Sequence, residues 1–455
     1  MSEDPSSPIA FVLAGGLSTR MRSRTTKVLH PVAGAPMLSH VLAVVRAAGA
    51  RPVVVLSKES ETAREILPPD VPVAIQEPPR GTGDAVRVAL GAVPDRAGAC
   101  WIVYGDTVLV RPETLHRLEA LRVERGAVLA LLTGMAGTTT SYGRIVRGTD
   151  GDVERIVEVR LASARERAIQ ESNFGAYATD LGWLRTAVAA LQPNATGEVF
   201  LTDLVALARR EGRTVAALCI EDPMEGHGIN TRSELAMAEA VVRERIREGH
   251  MASGVTLRDP GSISIDAQVE IAEDVVIERG TVLEGATRIG RGSRIGPYAV
   301  LRDTAVGAGC RIEGSVLEGA TLEDEVSVGP YCHLRPGAYL ERGVELGNFG
   351  EVKASRLGAG TKMHHFSYVG DAKVGARVNI GAGTITLNYD GARKSPTEIG
   401  DDAFIGSDTL LRAPVRVGKG AATGAGAVVT KDVPDGMIAI GMPARAIKKY
   451  VRPKK

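Results

Sequence analysis

Residues 283–301 read LEGATRIGRGSRIGPYAVL, and an aliphatic residue occupies every sixth position of this stretch. A period of six fits neither an α-helix nor an isolated amphipathic strand. It fits a short strand followed by a tight turn, which together form one side of a triangular coil with the aliphatic residue inside. Three series extend this period: Ile265, Ile271, Ile277, Leu283, Ile289, Ile295 and Leu301; Val316, Leu322, Val328, Leu334, Leu340, Leu346 and Val352; and Ile399, Ile405, Leu411, Val417, Thr423 and Val429. We therefore expect a parallel β-helix.

The repeat is interrupted between Thr386 and Ile399, where the chain reads LNYDGARKSPTE. This segment lacks inward aliphatic residues at the required spacing, and a polar insertion in a solenoid is commonly its functional loop. Nearby repeats also carry polar side chains that a simple spacer does not need: Arg335, Lys353, His365, Tyr368, Asn379, Asn388, Tyr389 and Lys394. A single histidine on a repeat protein is more often surface decoration. Here His364 and His365 adjoin a break in the repeat, which favours a functional interpretation.

The composition bounds the class of protein. A chain of 455 residues is long enough for two or three domains, and a net charge of +1 gives no reason to expect nucleic acid as a partner. The four cysteines show no CxxC or Cys/His spacing, which argues against a disulfide framework and a zinc site. Residues 1–8 lack a basic segment, and no apolar run reaches eighteen residues. We expect a cytoplasmic protein without a membrane span.

The N-terminal half alternates predicted strands and helices. The strand Ile9–Leu13 leads into the glycine-rich turn AGGLST and Arg20. Such a turn lets backbone N–H groups approach phosphates, although it also serves simple chain reversal. The next predicted elements are a helix over Met37–Ala48 and strands over Pro52–Leu56, Val71–Ile75 and Cys100–Tyr104. This order predicts a doubly wound, mostly parallel Rossmann-like sheet that binds ligands beyond the carboxyl ends of its strands.

Asp106 follows a buried strand directly. A carboxylate there needs solvent, a partner or a metal. It could cap the next helix, since Asp is a favoured N-cap residue. Together with a phosphate-binding turn, Mg²⁺ coordination is the better interpretation, because Mg²⁺ prefers hard oxygen ligands and substrate phosphates.

A helix links the two halves. Leu235, Ala238, Val242 and Ile246 recur at helical spacing, which predicts an amphipathic helix over Ser233–His250. We therefore divide the chain into an N-terminal domain at 1–230, a linker helix at 231–252 and a β-helix domain at 253–455.

Several motifs recur in a familiar order: LAGG with Thr19-Arg20-Met21, Lys27-Val28-Leu29, Gly81-Thr82-Gly83, Tyr104-Gly105-Asp106, Tyr142-Gly143-Arg144, Ile156-Val157-Glu158 and Gly228-Ile229-Asn230. They resemble the sugar-nucleotide pyrophosphorylases. With the coil behind them, they resemble the family of bifunctional N-acetylglucosamine-1-phosphate uridylyltransferases/glucosamine-1-phosphate N-acetyltransferases over about residues 9–433. The resemblance implies a left-handed β-helix of hexapeptide repeats, a homotrimer, Mg²⁺ as cofactor, and UTP, acetyl-CoA and the two sugar phosphates as substrates.

The resemblance also implies roles for particular residues of the N-terminal domain. Arg20 and Lys27 would neutralise phosphate charge during transfer, while Asp106 and Asn230 would hold Mg²⁺. The remaining residues would bind UTP or the UDP-sugar: Leu13, Ala14, Gly15, Gly16, Gln76, Gly81, Thr82, Tyr104, Gly143, Glu158 and Asn173. Phosphoryl-group chemistry suits such a set, because it depends on positioning and charge neutralisation rather than on a covalent nucleophile.

On the coil, the resemblance implies that His365 is the base for acetyl transfer. This role agrees with the chemistry, since an amine that attacks an acyl group must lose a proton near neutral pH. The other residues would bind substrates. Those for the amino sugar phosphate are Arg335, Lys353, Tyr368, Asn379 and Lys394, and those for acetyl-CoA are Asn388, Tyr389, Ser407 and Ala425. The acetyl-CoA site would lie between neighbouring coils of the trimer.

The sequence departs from the family pattern in three places. Ser18 stands where the phosphate turn usually has a second glycine, and Phe174 replaces a threonine beside Asn173. An arginine expected to contact CoA near the C-terminus has only Arg445 as a displaced candidate. Two alternatives stay open: a single-activity nucleotidyltransferase whose coil only assembles or regulates the enzyme, and a non-enzymatic solenoid scaffold. The first gives no purpose to a base on the coil, and the second gives none to the phosphate-binding residues.

Overall fold

The structure is a computed structural model that describes residues 7–16, 19–95, 97–138, 140–194 and 197–450. The chain forms two compact units whose boundary lies between Val242 and Arg243. That boundary falls inside a helix that covers Arg232–Ala252, where the sequence predicts one over Ser233–His250. Within the described residues, no helix is both long and apolar enough to cross a membrane.

A mixed β-sheet organises the N-terminal unit. Its strands, with one short separate hairpin (β2 and β3), are β1 (Ile9–Leu13), β2 (Pro31–Val32), β3 (Ala35–Pro36), β4 (Arg51–Ser57), β5 (Val73–Gln76), β6 (Ala99–Tyr104), β7 (Leu129–Met135), β8 (Arg144–Arg147), β9 (Val153–Val157), β10 (Glu171–Asp180) and β11 (Val215–Ile220). The order is β11-β7-β10-β6-β1-β4-β5, and β8 and β9 form a hairpin that joins β10. Strand β1 pairs in parallel with β4 and β6, whereas β10 is antiparallel to β6 and β7.

Helices connect these strands, as the alternating sequence pattern predicts. They are α1 (Met37–Ala47), α2 (Thr82–Gly91), α3 (Pro112–Glu124), α4 (Ala164–Arg167), α5 (Leu181–Ala190), α6 (Asp203–Arg210) and α7 (Arg232–Ala252). Short 3₁₀ turns lie at Thr19–Met21, Lys27–Leu29, Lys58–Ile66, Pro223–Gly226 and Pro260–Ser262. Every residue of β1 is buried, as expected for a parallel strand covered on both faces. Because β1, β4, β5 and β6 are parallel, the loops after their last residues meet at one edge of the sheet.

The second unit is a parallel β-helix with three sides. The first side is Thr256–Leu257, Val276–Ile277, Arg294–Ile295, Arg311–Ile312, Ser327–Val328, Glu345–Leu346, Lys362–Met363, Asn379–Ile380, Phe404–Ile405, Ala422–Thr423, Met437–Ile440 and Arg445–Lys449. The second side is Ser264–Ile265, Val282–Glu284, Val300–Arg302, Val316–Glu318, His333–Leu334, Gly350–Lys353, Ser367–Gly370, Ile385–Leu387, Leu410–Arg412 and Val428–Val429. The third side is Glu270–Ile271, Arg288–Ile289, Ala305–Val306, Thr321–Leu322, Tyr339–Leu340, Arg356–Leu357, Ala372–Val374, Thr397–Ile399 and Val415–Val417.

Two corners of this coil matter for the site described below. We call the turns between the first and second sides the first corner, and those between the second and third sides the second corner.

The strand that ends the first side, Arg445–Lys449, runs antiparallel to Met437–Ile440. The other ladders of the three sides are parallel.

The inward positions follow the predicted repeat with one error. Leu283, Ile289 and Ile295 are buried, but Val316 is 36% exposed and its neighbour Leu317 is fully buried. The coil from Leu301 to Leu317 has sixteen residues instead of eighteen, so the inward position shifts. The prediction for Val316 is therefore wrong by one residue. Ile271, near the start of the coil, is only partly buried.

The interruption is shorter than the sequence suggests. The chain continues to coil after Val352, with buried residues at Leu357, Met363, Val369, Val374, Ile380 and Thr386. Coils of seventeen residues, such as Val352 to Val369, break the strict period and hide these turns from the sequence pattern. Leu387 and Thr397 belong to strands, so the true excursion covers residues 388–396 at the second corner.

Candidate active sites

The carboxyl edge of the N-terminal sheet holds two cavities of about 390 and 270 Å³ that share part of their walls. Their common lining residues are Lys27, Gly81, Thr82, Tyr104, Asp106 and Glu198. We call the smaller one the glycine-loop cavity, since Leu13, Ala14, Gly15 and Gly16 line it together with Gln76. We call the larger one the β10 cavity, since Gly143, Glu158 and Asn173 line it together with Asn230. The structure thus brings together residues that lie far apart in the sequence.

At the wall of the glycine-loop cavity, the backbone of Gly81 packs closely against the backbone of Val199. Gly81 has a φ of +98°, and a Cβ there would lie 2.5 Å from the carbonyl oxygen of Val199. Only glycine fits this position without strain. Gln76 is buried, and its amide nitrogen donates to the carbonyl of Gly81 at 3.0 Å and to Asp84 at 2.9 Å. These two bonds fix the orientation of the Gln76 amide at the wall of the cavity.

Four charged or amide side chains converge where the two cavities meet. The Lys27 ammonium donates to Asp106 Oδ2, and to Asn230 Oδ1 at 3.0 Å. Arg20 donates to the same Asn230 oxygen at 2.8 Å. The Asn230 amide nitrogen donates to the carbonyl of Gly228, which leaves its oxygen facing the cations. The carboxylate and the amide oxygen therefore already converge on one positive charge.

The oxygens of Asp106 and Asn230 fit the ligand preference of Mg²⁺. The Lys27 ammonium stands where a cation bound by both oxygens would lie, and Mg²⁺ commonly takes only one or two protein oxygens and completes its shell with phosphates and water. No group of three or more His, Cys, Asp or Glu side chains suitable for a metal exists among the described residues. The alternative role of Asp106 as a helix cap is wrong, because α3 begins at Pro112 and its N-cap residue is Arg111.

The β10 cavity has a half-buried acid, Glu158, at its wall. Burial raises the pKa of Glu158, and the hydroxyl of Thr202, which donates to the carboxylate at 3.2 Å, partly opposes this shift. Asn173 is held from two directions. Its amide nitrogen donates to the Tyr177 hydroxyl at 2.7 Å, and its oxygen accepts from the Gly175 N–H at 3.2 Å. Both side chains are thus fixed in place.

On the coil, the second corner gathers one group of the predicted residues. Lys353 ends a strand of the second side, and Lys394 lies close enough for the positive charge of Lys353 to lower its pKa. The Asn388 amide donates to Asp371 and, at 3.4 Å, to the Tyr368 hydroxyl. Arg335 follows the strand that pairs with the Lys353 strand, and its guanidinium donates to Glu351 at 3.1 Å. Three cationic side chains, Arg335, Lys353 and Lys394, thus lie near this corner together with the acids Asp371 and Glu351.

The first corner holds the second group. His365, Ser407 and Ala425 each lie in a turn between the first and second sides. Both histidines are exposed, and only His364 has an acidic partner among the described residues: its Nε2 atom lies 2.8 Å from a carboxylate oxygen of Glu345. The four-residue strand Ser367–Gly370 separates the two corners, a distance of about 13 Å at the usual rise per residue. Tyr368 lies on this strand between them.

Comparison with known proteins decides the family. Residues 10–146 match the MobA-like NTP transferase domain. The chain is 46% identical over 447 residues to the "Bifunctional protein GlmU" of Alkalilimnicola ehrlichii, covering 97% of this chain and 96% of the relative. It is 44% identical to the protein of that name from Heliobacterium modesticaldum (97% and 96% covered), and 42% identical to that from Kineococcus radiotolerans (100% and 94% covered). The chain belongs to the GlmU family. It is therefore a transferase with a nucleotidyltransferase domain, as the motifs predict.

The remaining predicted residues of the GlmU pattern are dispersed within one chain. Asn379 lies on the first side, and so on a different face from Tyr368. Tyr389 is 60% exposed in the 388–396 loop, where its hydroxyl donates to the carbonyl of Gly391 at 2.6 Å. Arg445 begins the exposed terminal strand of the first side. A single coil therefore leaves Asn379 and Arg445 apart from the second corner, whereas Tyr389 belongs to the loop at that corner.

The two departures in the N-terminal unit have different outcomes. Ser18 lies outside the described residues. Phe174 lines the β10 cavity but is only 2% exposed, and its ring packs edge-on against Tyr142 at 5.5 Å. A Cβ at Gly134 or Gly226 would lie 2.4 or 2.3 Å from this ring. The larger side chain is therefore accommodated by two glycines rather than by displacement into the cavity.

Sequence reasoning missed several residues that the structure places at these sites. Tyr142 lines the β10 cavity, and its hydroxyl accepts from the Gly228 N–H at 3.0 Å. Its motif was visible, but its role was not. Thr202 and Glu198 also line this cavity, although no motif marked them. Asp371 lies at the second corner one full coil, or seventeen residues, before Asn388. Only this spacing could have identified it from the sequence.

Proposed function

We propose that this chain is a bifunctional enzyme of UDP-N-acetylglucosamine synthesis. It acetylates glucosamine 1-phosphate with acetyl-CoA, and it then transfers the uridylyl group of UTP to N-acetylglucosamine 1-phosphate with release of pyrophosphate. The relatives are named bifunctional, and they match nearly the whole chain. This match favours the proposal over a single-activity nucleotidyltransferase. Two separate polar clusters, one in each compact unit, agree with it.

For uridylyl transfer, UTP occupies the glycine-loop cavity. The loop from Leu13 to Gly16 and the cations of Arg20 and Lys27 hold its phosphates, while Gln76 with Gly81 and Thr82 reads the uracil. The phosphate oxygen of the sugar substrate attacks the α-phosphorus, the bond to the β-phosphate oxygen breaks, and pyrophosphate leaves. This chemistry needs alignment and charge neutralisation, which Arg20 and Lys27 supply at the junction of the cavities.

Asp106 and Asn230 would hold Mg²⁺, with Lys27 turning from them to the phosphates. The ion would supply further neutralisation of the phosphate charge. The sugar phosphate lies in the β10 cavity against Gly143, Glu158 and Asn173. Tyr104 lines both cavities and so contacts the sugar nucleotide between them.

For acetyl transfer, the amino sugar phosphate lies along the second side of the coil. Its phosphate meets Arg335, Lys353 and Lys394 at the second corner, and its amine points toward His365 at the first corner. The amine nitrogen attacks the acetyl carbonyl carbon, His365 takes the proton from nitrogen, and the carbon–sulfur bond breaks to release CoA. Tyr368, between the corners, positions the sugar.

Acetyl-CoA runs along the first corner past Ser407 and Ala425, with Asn388 and Tyr389 completing its site, while Asn379 contributes to binding of the amino sugar phosphate. Because these residues lie on several faces of one coil, we propose that a neighbouring chain supplies part of each site in a homotrimer. Large aromatic side chains exposed at the first corner support contact with another coil: Tyr298, Tyr331, Phe349 and Phe366. The protein is cytoplasmic in this proposal, with domains at 1–230, 231–252 and 253–455.

Replacement of Asp106 tests the assignment of the first site. Asp106→Ala should remove most release of pyrophosphate from UTP and N-acetylglucosamine 1-phosphate, and should leave acetyl transfer near the wild-type rate. The two half-reactions are measured separately, and wild-type protein without a divalent ion serves as the metal control. Loss of both activities in a folded variant would contradict two independent sites.

A further inference from the structure

Arg144 is a fully buried cation that the proposed mechanism does not use. It begins β8, directly after Gly143, and the two terminal nitrogens of its guanidinium lie within hydrogen-bonding distance of five acceptors. The acceptors are the carbonyls of Thr138, Thr140 and Tyr142 and the hydroxyls of Thr140 and Ser172, at 2.9 to 3.1 Å. All of them are neutral. Among the residues that the structure describes, no carboxylate pairs with Arg144.

Burial of a cation without a carboxylate partner lowers the stability of the folded protein, so a purely structural role does not explain Arg144. Buried arginines normally pair with an acid, since an uncompensated charge in a protein interior is strongly unfavourable. The Nε atom of Arg144 is also buried without a hydrogen-bond partner. In line with this, burial lowers the pKa of the guanidinium. A role at an adjacent anionic ligand would explain why this charge is placed here.

The hydrogen bonds of Arg144 all hold one wall of one cavity. They connect Thr138, Thr140 and Tyr142 with β10 at Ser172, the residue before Asn173. Ser141, Tyr142 and Gly143 from this wall line the β10 cavity, and none of them lines the glycine-loop cavity. Arg144 therefore acts on the half of the site proposed for the sugar phosphate, and among the described residues none of its hydrogen bonds goes to a residue that lines the half proposed for UTP.

We propose that Arg144 is a positioning residue for the sugar phosphate. It holds the wall formed by Ser141, Tyr142 and Gly143 in place, and its uncompensated charge favours an anionic ligand in the β10 cavity. The inference rests on the proposed uridylyl transfer, because it assigns the two halves of that reaction to the two cavities. It predicts that loss of Arg144 affects recognition of N-acetylglucosamine 1-phosphate far more than recognition of UTP.

The test measures both Michaelis constants in Arg144→Met and Arg144→Lys. The methionine variant should raise the KM for N-acetylglucosamine 1-phosphate about tenfold or more, since a small misplacement of a positioning group has large effects. Its KM for UTP should stay within about twofold of the wild-type value. The lysine variant, which keeps the charge without the planar fork, should fall between the two proteins.

Matched variants separate positioning from simple destabilisation. Arg122 is a largely buried arginine of the same unit that donates to Glu119 and lines neither cavity, so Arg122→Met should lower the thermal unfolding temperature with both KM values unchanged. Ser172→Ala removes a single acceptor of Arg144 and should raise only the KM for the sugar phosphate, by about twofold to threefold. If Arg144→Met does not fold, Ser172→Ala decides, and an unchanged KM overturns the inference.

Equal changes in both KM values for Arg144→Met, or a change in unfolding temperature alone, would also overturn it. Calorimetric binding of N-acetylglucosamine 1-phosphate needs no turnover and separates this inference from the proposed function. Wild-type protein that binds the sugar phosphate but releases no pyrophosphate would refute uridylyl transfer. Weaker binding by Arg144→Met would still support the role of Arg144.

Discussion

Adjacent histidines at the first corner of the coil provide a matched pair of mutations. His364 and His365 follow the same strand, but the structure gives them different surroundings. Both are exposed at the corner that also holds Ser407 and Ala425, but His364 contacts Glu345, whereas no such contact engages His365 among the described residues. We expect His365→Ala to remove the base for acetyl transfer and His364→Ala to leave it.

The two expected magnitudes differ by orders of magnitude. Removal of a positioned general base costs about 10²–10⁴-fold in rate. The His364–Glu345 pair is roughly half exposed at both partners, at 49% and 41%, so solvent screens it. Its loss should cost at most about 1 kcal/mol in the free energy of unfolding and should not change acetyl transfer.

The assay follows release of the CoA thiol from acetyl-CoA with glucosamine 1-phosphate as acceptor. Pyrophosphate release from UTP and N-acetylglucosamine 1-phosphate is measured on the same preparations and should be unaffected in both variants. The reasoning is refuted if His364→Ala is the inactive variant, or if both variants retain wild-type acetyl transfer.

Three further predictions concern charge and packing. Burial raises the pKa of Glu158, so its carboxylate takes up a proton at a higher pH than usual. The KM for N-acetylglucosamine 1-phosphate should therefore rise as the pH falls through that raised pKa. In Glu158→Gln, a pH series should no longer show this rise in KM. Lys353 lowers the pKa of Lys394, so Lys394 loses its charge at a lower pH than an ordinary lysine. The KM for glucosamine 1-phosphate should therefore rise at alkaline pH. In Lys353→Met, this rise in KM should occur at a higher pH than in the wild-type protein. Phe174→Ala should lower the free energy of unfolding by about 3–5 kcal/mol in denaturant titrations, because it leaves a cavity between Gly134 and Gly226; a loss below about 1 kcal/mol would show that the ring is not tightly packed.

The sequence predicted much of the fold because both halves use regular periods. The six-residue repeat located the inward residues of most coils, and the apolar runs located the buried strands of the sheet. The error at Val316 arose because a sixteen-residue coil shifts the phase, which a fixed period cannot anticipate. The coils after Val352 were missed for a similar reason, since their inward positions include Met363 and Thr386 and their lengths vary.

The candidate site was predictable where a local motif carries it. Glycine turns and Asp106 could be placed at strand ends from the sequence itself, whereas Lys27 and Asn230 were assigned only through the family resemblance. Partners brought in by tertiary packing were not predictable. Thr202 reaches Glu158 across the fold, and the lack of a counter-charge at Arg144 appears only when its surroundings are known.

The most direct test of two activities on one chain is a single reaction. Purified protein is supplied with glucosamine 1-phosphate, acetyl-CoA, UTP and Mg²⁺, and CoA thiol, pyrophosphate and UDP-N-acetylglucosamine are measured together. The proposed function predicts that all three products appear, with one thiol and one pyrophosphate for each UDP-sugar. Formation of pyrophosphate only when pre-acetylated N-acetylglucosamine 1-phosphate is added, with no release of thiol, would contradict it and would leave the coil without a catalytic role.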